Sequence, residues 1–210
     1  MRTRRRGQSV VLLLDVVDVL RTLELDYAVI GAVAATVHGT VRVSKDADVL
    51  LSAAAPDGPT LERAFKDSGF RTTFNRGDLE DDIPGLLRVS DELGNQVDLL
   101  LGLRRLDPKA FSRTIEVALQ GEPLRFIGRE DFIAMKVYAG GPVDLQDAEN
   151  AIATDPKSLD VALVKQLSAR FGRKASESLE RLLAKTLGSA HGLGDEHSKT
   201  KDKGLGDDLE

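Results

Sequence analysis

Ser44-Lys45-Asp46-Ala47-Asp48-Val49-Leu50-Leu51 carries two carboxylates, one residue apart, at the mouth of an apolar run. Val49, Leu50 and Leu51 read as a buried strand, and side chains on a strand alternate between its faces. Asp46, Asp48 and Leu50 therefore share one face. Two like charges ~4 Å apart repel by about 4 kcal/mol at an effective dielectric of roughly 20. A bound divalent cation is one common way to offset that repulsion.

A third acid lies downstream, in Asn95-Gln96-Val97-Asp98-Leu99-Leu100-Leu101. Asp98 sits inside an apolar strand and is expected to be substantially buried. One reading is a strand-end acid paired with an arginine or a backbone amide. The other sets its strand beside that of Asp46 and Asp48, so that three carboxylates converge. Mg²⁺ (or Mn²⁺) suits the second arrangement, because it binds through a few carboxylates plus substrate phosphates. Metal ions held in this way orient a triphosphate, activate an acceptor hydroxyl and stabilise the departing pyrophosphate. Upstream, Val29-Ile30-Gly31-Ala32 places a glycine at a strand-to-helix turn. Backbone there can approach a phosphate closely, with the first amides of the helix directed at it.

Working outward, 9–24 reads as a largely buried helix with Ser9 as its N-cap, and 27–30 as a short strand. The stretch 32–38 reads as a helix that ends at Gly39. Pro59 opens an amphipathic helix over 59–68. Strands are expected at 70–74, 86–90, 96–101 and 124–127, with 91–95 as a hairpin loop. Asp107-Pro108 reads as a cap and first turn opening a helix to 119. Helices follow at 130–139, 144–153, 158–171 and 174–187, and 188–210 loses all apolar periodicity and reads as a disordered tail. The fold class is α/β (α+β), a mixed sheet flanked by helices with a small helical C-terminal part. Its divisions are 8–128, 129–187 and 188–210.

The chain has 210 residues and a net charge of −5, which argues against a nucleic-acid-coating protein but not against RNA held at one local patch. Apolar residues make up 41% of it and aromatics 4%, with no Trp, so Leu, Val, Ile and Ala must fill the core. The absence of Cys fits a reducing cytoplasm and leaves no thiolate–metal framework. Arg2 and Arg4 to Arg6 followed by apolar 10–14 superficially look like a secretion leader, but Asp15 and Asp18 interrupt the run. A cytoplasmic protein without membrane contact is expected, with the N-terminal arginines in a flexible solvated tail.

The order of these features resembles the nucleotidyltransferase superfamily typified by DNA polymerase beta. Gly31-Ala32, then His38-Gly39-Thr40-Val41-Arg42-Val43-Ser44-Lys45-Asp46-Ala47-Asp48, then Val97-Asp98 is most similar to its minimal bacterial branch, which includes the abortive-infection (AbiEii-type) toxins. Gly39, Arg42, Asp46, Asp48 and Asp98 match that family's Gly-x-x-Arg-x-Thr-x-Asp-x-Asp segment and later strand acid. Ser44 replaces the usual Thr and keeps its hydroxyl. Ala32 replaces a Gly or Ser and supplies no hydroxyl to the triphosphate. The likeness continues through Arg129 to Lys136 and Ala139 to Asp147, with Val143 where a Lys is often seen.

The resemblance implies transfer of a nucleoside monophosphate from an NTP to a hydroxyl acceptor. Asp46, Asp48 and Asp98 would be catalytic and hold the metals. Gly31, Ala32, Arg42, Ser44 and Lys136 would bind the nucleotide, and Asp144 and Asp147 would position it. On the residues alone, Lys136 is equally a snorkelling lysine on the apolar face of Phe132 and Ile133. Asp144 equally reads as an N-cap and Asp147 as a first-turn acid. Arg42 either faces phosphates or pairs with Asp46 or Asp48, and His38 reads as a helix-end residue. The acceptor implied is RNA such as tRNA, or a protein, with a toxin–antitoxin role and a cognate antitoxin as partner. The alternatives are a non-catalytic binding or antitoxin-like module and an aminoglycoside-type enzyme. An unrelated α/β protein would leave Asp46 and Asp98 far apart.

Overall fold

The computed structural model describes residues 1–40, 46–52 and 54–191. The quoted acidic strand, β2 (Ala47–Leu51), lies at the centre of a seven-stranded mixed sheet. The other strands are β1 (Tyr27–Ile30), β3 (Arg71–Arg76), β4 (Gly85–Ser90), β5 (Gln96–Leu100), β6 (Ile115–Leu119) and β7 (Glu122–Phe126), in the spatial order β3-β4-β5-β2-β1-β7-β6. β2 runs parallel to β5 and antiparallel to β1, and β1 runs parallel to β7. Ala47, Val49, Leu50 and Leu51 are fully buried, as a central apolar strand requires.

Alternation divides the β4–β5 region into two faces. Leu87, Val89, Val97 and Leu99 are fully buried, whereas Leu86, Arg88, Ser90, Gln96, Asp98 and Leu100 are not. Helices α1 (Ser9–Thr22) and α3 (Gly58–Asp67) pack against this part of the sheet and contribute Leu12, Leu13, Leu61 and Phe65 to the core. The acids point to the other, more open face. α2 (Gly31–Val37) follows β1 directly.

The C-terminal part is a bundle of α4 (Arg129–Ala139), α5 (Pro142–Thr154), α6 (Val161–Arg170) and α7 (Arg173–His191). Tyr138 stacks on Phe171 within it, ring centroids 4.7 Å apart. The bundle meets the segment before β6 through Arg113, which forks Asp131 at 2.7 and 2.8 Å, and it also meets the end of α2. The disordered tail expected over 188–210 is corrected at its start, since α7 continues through His191, and the remainder from 192 onward lies outside the described residues.

Three sequence expectations need correction. The helix expected over 107–119 is a short 3-10 helix (Pro108–Arg113) followed by β6. Asp107 does cap it, accepting from the Lys109 amide, but Thr114, Ile115 and Val117 are β-branched and favour a strand. Gln120 and Gly121 both have positive φ, 52° and 86°, and close a two-residue hairpin whose twist matches its strands. Ser9 is not an N-cap: Gln8 stands there, and the Ser9 hydroxyl accepts from the Gln96 amide at 3.1 Å. The N-terminal arm is docked, not a loose tail. Arg2 pairs with Asp15 and Asp18, and the Arg5 carbonyl accepts from the Asn95 side chain.

Leu99 lies at the middle of the core under β5. Leu99→Ala is expected to cost about 2–5 kcal/mol, read as a lower urea midpoint with an unchanged slope. A loss below about 1 kcal/mol would contradict that placement.

Candidate active site

The site is built from register. One row crosses the sheet as Ile30, Asp48, Asp98, Arg88 and Thr73, on β1, β2, β5, β4 and β3. Partners in register point to the same side, so Asp48 and Asp98 are neighbours on the open face. Asp46 immediately precedes β2, and its Oδ1 accepts from Gln96 Nε2 at 2.8 Å, one row before Asp98. The structure therefore brings the acids of 46, 48 and 98 to one patch. The reading that leaves Asp46 and Asp98 far apart does not describe this molecule.

Gly31 closes the patch on the β1 side. Its φ is +65°, and a Cβ there would fall 2.1 Å from Asp48 Oδ2. The Asp48 carboxylate thus lies directly against the strand-to-helix turn, where only glycine permits the approach. Ala32 follows, buried in the first turn of α2.

On the β4 side stands a residue the sequence reading missed. Arg88 donates through Nε and Nη2 to the two oxygens of Asp98, both at 2.8 Å. Such bidentate forks are the strong form of the pair. The hydrogen bond to Asp98, followed by the charges of Asp98 and Asp46, raises the guanidinium pKa above its ordinary value. Asp98 is 15% exposed and Arg88 44% exposed. The arginine-pair reading of Asp98 is thus realised, on a strand that lies beside that of Asp48. A signal was present in the sequence: a hairpin loop over 91–95 pairs Ser90 with Gln96 and hence Arg88 with Asp98.

Among the described residues, no three acidic or imidazole side chains stand close enough to form a ready metal cluster. Asp98 turns both oxygens to Arg88 instead. The donors at 46, 48 and 98 are all carboxylate oxygens and suit a hard cation such as Mg²⁺ or Mn²⁺. Arg42 and Ser44 lie outside the described residues.

Lys136, Asp144 and Asp147 form a constellation of their own between α4 and α5. Lys136 Nζ is 2.7 Å from Asp144 Oδ1 and 2.9 Å from Asp147 Oδ2, and 5.6 Å above the Phe132 ring. Asp147 is 1% exposed, so the ion pair offsets the burial of its charge. Asp144 is not the N-cap of α5: Gly141 is, Pro142 opens the helix, and Asp147 falls in the second turn. The same helix docks on the end of α2. Asn150 donates to the Thr40 hydroxyl at 3.1 Å, and the Thr154 hydroxyl donates to the His38 carbonyl at 3.2 Å. His38 Nε2 bonds the Ile127 carbonyl at 2.8 Å, and its ring packs on Phe132. Burial pushes the His38 pKa down, with the Ile127 bond opposing.

No protein-family model matches the chain, and no curated protein does. Solved structures do. The solution structure of the antibiotic-resistance factor ANT(2'')-Ia superposes with a TM-score of 0.54 at 18% identity, covering 88% of this chain and 98% of that one. An antigenic nucleotidyltransferase-like protein from Paracoccidioides brasiliensis superposes with a TM-score of 0.55 at 14% identity, covering 91% and 94%. The chain has the nucleotidyltransferase fold. A crystal structure of ANT(2")-Ia in complex with adenylyl-2"-tobramycin is similar at TM-score 0.53 and 19% identity, over 78% of this chain and 97% of that one. At these identities the likeness is one of fold.

Two outcomes are expected. Gly31→Ala is expected to displace the Asp48 carboxylate and to cost about 1–3 kcal/mol of stability through strain. Urea denaturation beside Ala32→Ser as a neighbouring control measures it, and equal stability of both variants would contradict the contact. For His38, the unfolded imidazole titrates near ~6.5. Above that pH both states are neutral. Below it the unfolded chain takes up a proton that the folded chain resists, so stability falls until the lower folded pKa is reached. His38→Gln is expected to flatten this acid-side slope, and parallel stability–pH curves for the two proteins would refute it.

Proposed function

We propose that the protein is a metal-dependent nucleotidyltransferase that moves a nucleoside monophosphate from an NTP to a hydroxyl acceptor. The observation that carries this is the in-register pair of Asp48 and Asp98 on adjacent parallel strands, with Gly31 pressed against Asp48. Asp46, Asp48 and Asp98 would hold Mg²⁺ or Mn²⁺. When bound, such a cation supplies charge stabilisation for the triphosphate and its leaving group. The turn at Gly31 and Ala32 binds phosphate oxygens through its backbone. The acceptor oxygen bonds the α-phosphorus as the bond to the bridging oxygen breaks and pyrophosphate departs. Asp98 takes the acceptor's proton. Arg42, Ser44 and Lys136 are assigned to the nucleotide, and Asp144 and Asp147 to holding Lys136.

The acceptor we favour is RNA such as tRNA, or a protein, acted on in the cytoplasm. The sequence resemblance to AbiEii-type toxins supports this, and it implies a toxin–antitoxin setting with a cognate antitoxin as partner. An aminoglycoside acceptor is the alternative within the same chemistry. A non-catalytic module is the second reading, favoured by one observation: both oxygens of Asp98 are taken by Arg88.

Incubation with labelled NTPs, Mg²⁺ and total tRNA, protein or aminoglycosides tests the proposal. Label transfer is expected, abolished by chelator and reduced at least about a hundredfold by Asp46→Ala or Asp48→Ala. Transfer that survives either substitution would overturn the mechanism. Metal-dependent thermal stabilisation by NTP without turnover on any acceptor would establish the non-catalytic reading instead.

A further inference from the structure

The row Asp48–Asp98–Arg88 reads negative, negative, positive across three adjacent strands. The positive member is fixed to the middle acid by two 2.8 Å bonds. A divalent cation arriving at Asp48 and Asp98 would meet this guanidinium on the very oxygens it needs. Both cannot be accommodated without placing like charges side by side in a partly buried setting. Asp98, 15% exposed on a central strand, is the anchored partner, whereas Arg88, 44% exposed, has solvent to turn into. An arginine released there remains on the open face beside the Asp48 row. Its planar fork matches phosphate oxygens as well as carboxylate ones.

We propose that Arg88 is an internal stand-in cation: it occupies Asp98 in the unloaded protein and surrenders it when metal and triphosphate arrive together, then pairs with the triphosphate. Metal alone must displace Arg88 with no new partner for the guanidinium. Metal with nucleotide supplies that partner. The two ligands therefore bind with positive coupling, and free metal binds weakly. The fork also answers the repulsion between Asp48 and Asp98. This inference rests on the proposed function, since it takes the acids to be a metal site. It adds a positioning residue and a binding order to that reading.

Mn²⁺ binding, followed by electron paramagnetic resonance, tests it without any turnover. Wild type is expected to bind Mn²⁺ weakly alone. A non-hydrolysable triphosphate analogue should strengthen binding about tenfold or more, after subtraction of a protein-free control. Arg88→Gln is expected to bind Mn²⁺ alone at least about tenfold more tightly than wild type, and to gain less from the analogue. Adding Asp98→Asn to Arg88→Gln should erase that gain. Arg88→Lys keeps the charge but loses the fork, and is expected to bind Mn²⁺ alone more tightly than wild type; it serves if Arg88→Gln does not fold. Equal Mn²⁺ affinity in wild type and both Arg88 variants, with binding lost in Asp48→Asn, would overturn the inference while leaving the metal site standing. No Mn²⁺ binding by any variant, with or without the analogue, would overturn both.

Discussion

Two carboxylates side by side on neighbouring strands set the terms for the rest of this molecule. Strands in a sheet lie about 4.8 Å apart, so Asp48 and Asp98 face each other across little more than one strand spacing. The centre of a sheet is a costly place for such a pair. The surrounding residues are arranged around that cost. Gly31 gives up its side chain so that Asp48 has room. Gln96 donates to Asp46, and Arg88 forks Asp98. None of these devices adds to the apolar layer of Leu87, Val89, Val97 and Leu99, which lies on the opposite face of β4 and β5 under α1 and α3.

The helical bundle is tied to the same patch from behind. α2 begins at Gly31, against Asp48, and ends at His38, which bonds Ile127 and packs on Phe132 of α4. α5 holds the chain just past that end through Asn150 and Thr154. A Cβ on Gly39 would fall 1.9 Å from the Thr154 hydroxyl, so the α2–α5 approach is as tight as that between Gly31 and Asp48. Lys136 with Asp144 and Asp147 braces α4 against the N-terminal half of the same α5. The acids at the sheet centre and the bundle are therefore linked through one short helix anchored at both ends.

Strand periodicity made the centre of the site legible. Alternation alone placed Asp46 and Asp48 on one face, and the apolar context of Asp98 placed it on a strand. The break at Gly31 was legible because no other residue type suits a strand that turns at once into a helix at positive φ. Arg88 was missed because a lone arginine in Leu86-Leu87-Arg88-Val89-Ser90 looks like an ordinary outward residue until hairpin register is counted. The 115–119 strand was missed because Asp107-Pro108 is a strong helix opener, whereas Gln120-Gly121 is a weaker turn signal than Asn-Gly. Ser9 and Asp144 have the chemistry of N-caps, but tertiary partners claimed both side chains: the Gln96 amide for Ser9 and Lys136 for Asp144.

The acids at 46, 48 and 98 are proposed to form a single cation and triphosphate site on the open face of β2 and β5. Paramagnetic broadening of backbone amide resonances by Mn²⁺ with a non-hydrolysable triphosphate analogue tests it most directly. Selective loss of signals is expected at Gly31, Ala32, Asp48, Val49, Val97 and Asp98. Broadening centred on another acidic stretch, such as Asp78 to Asp82, with those signals intact would contradict it.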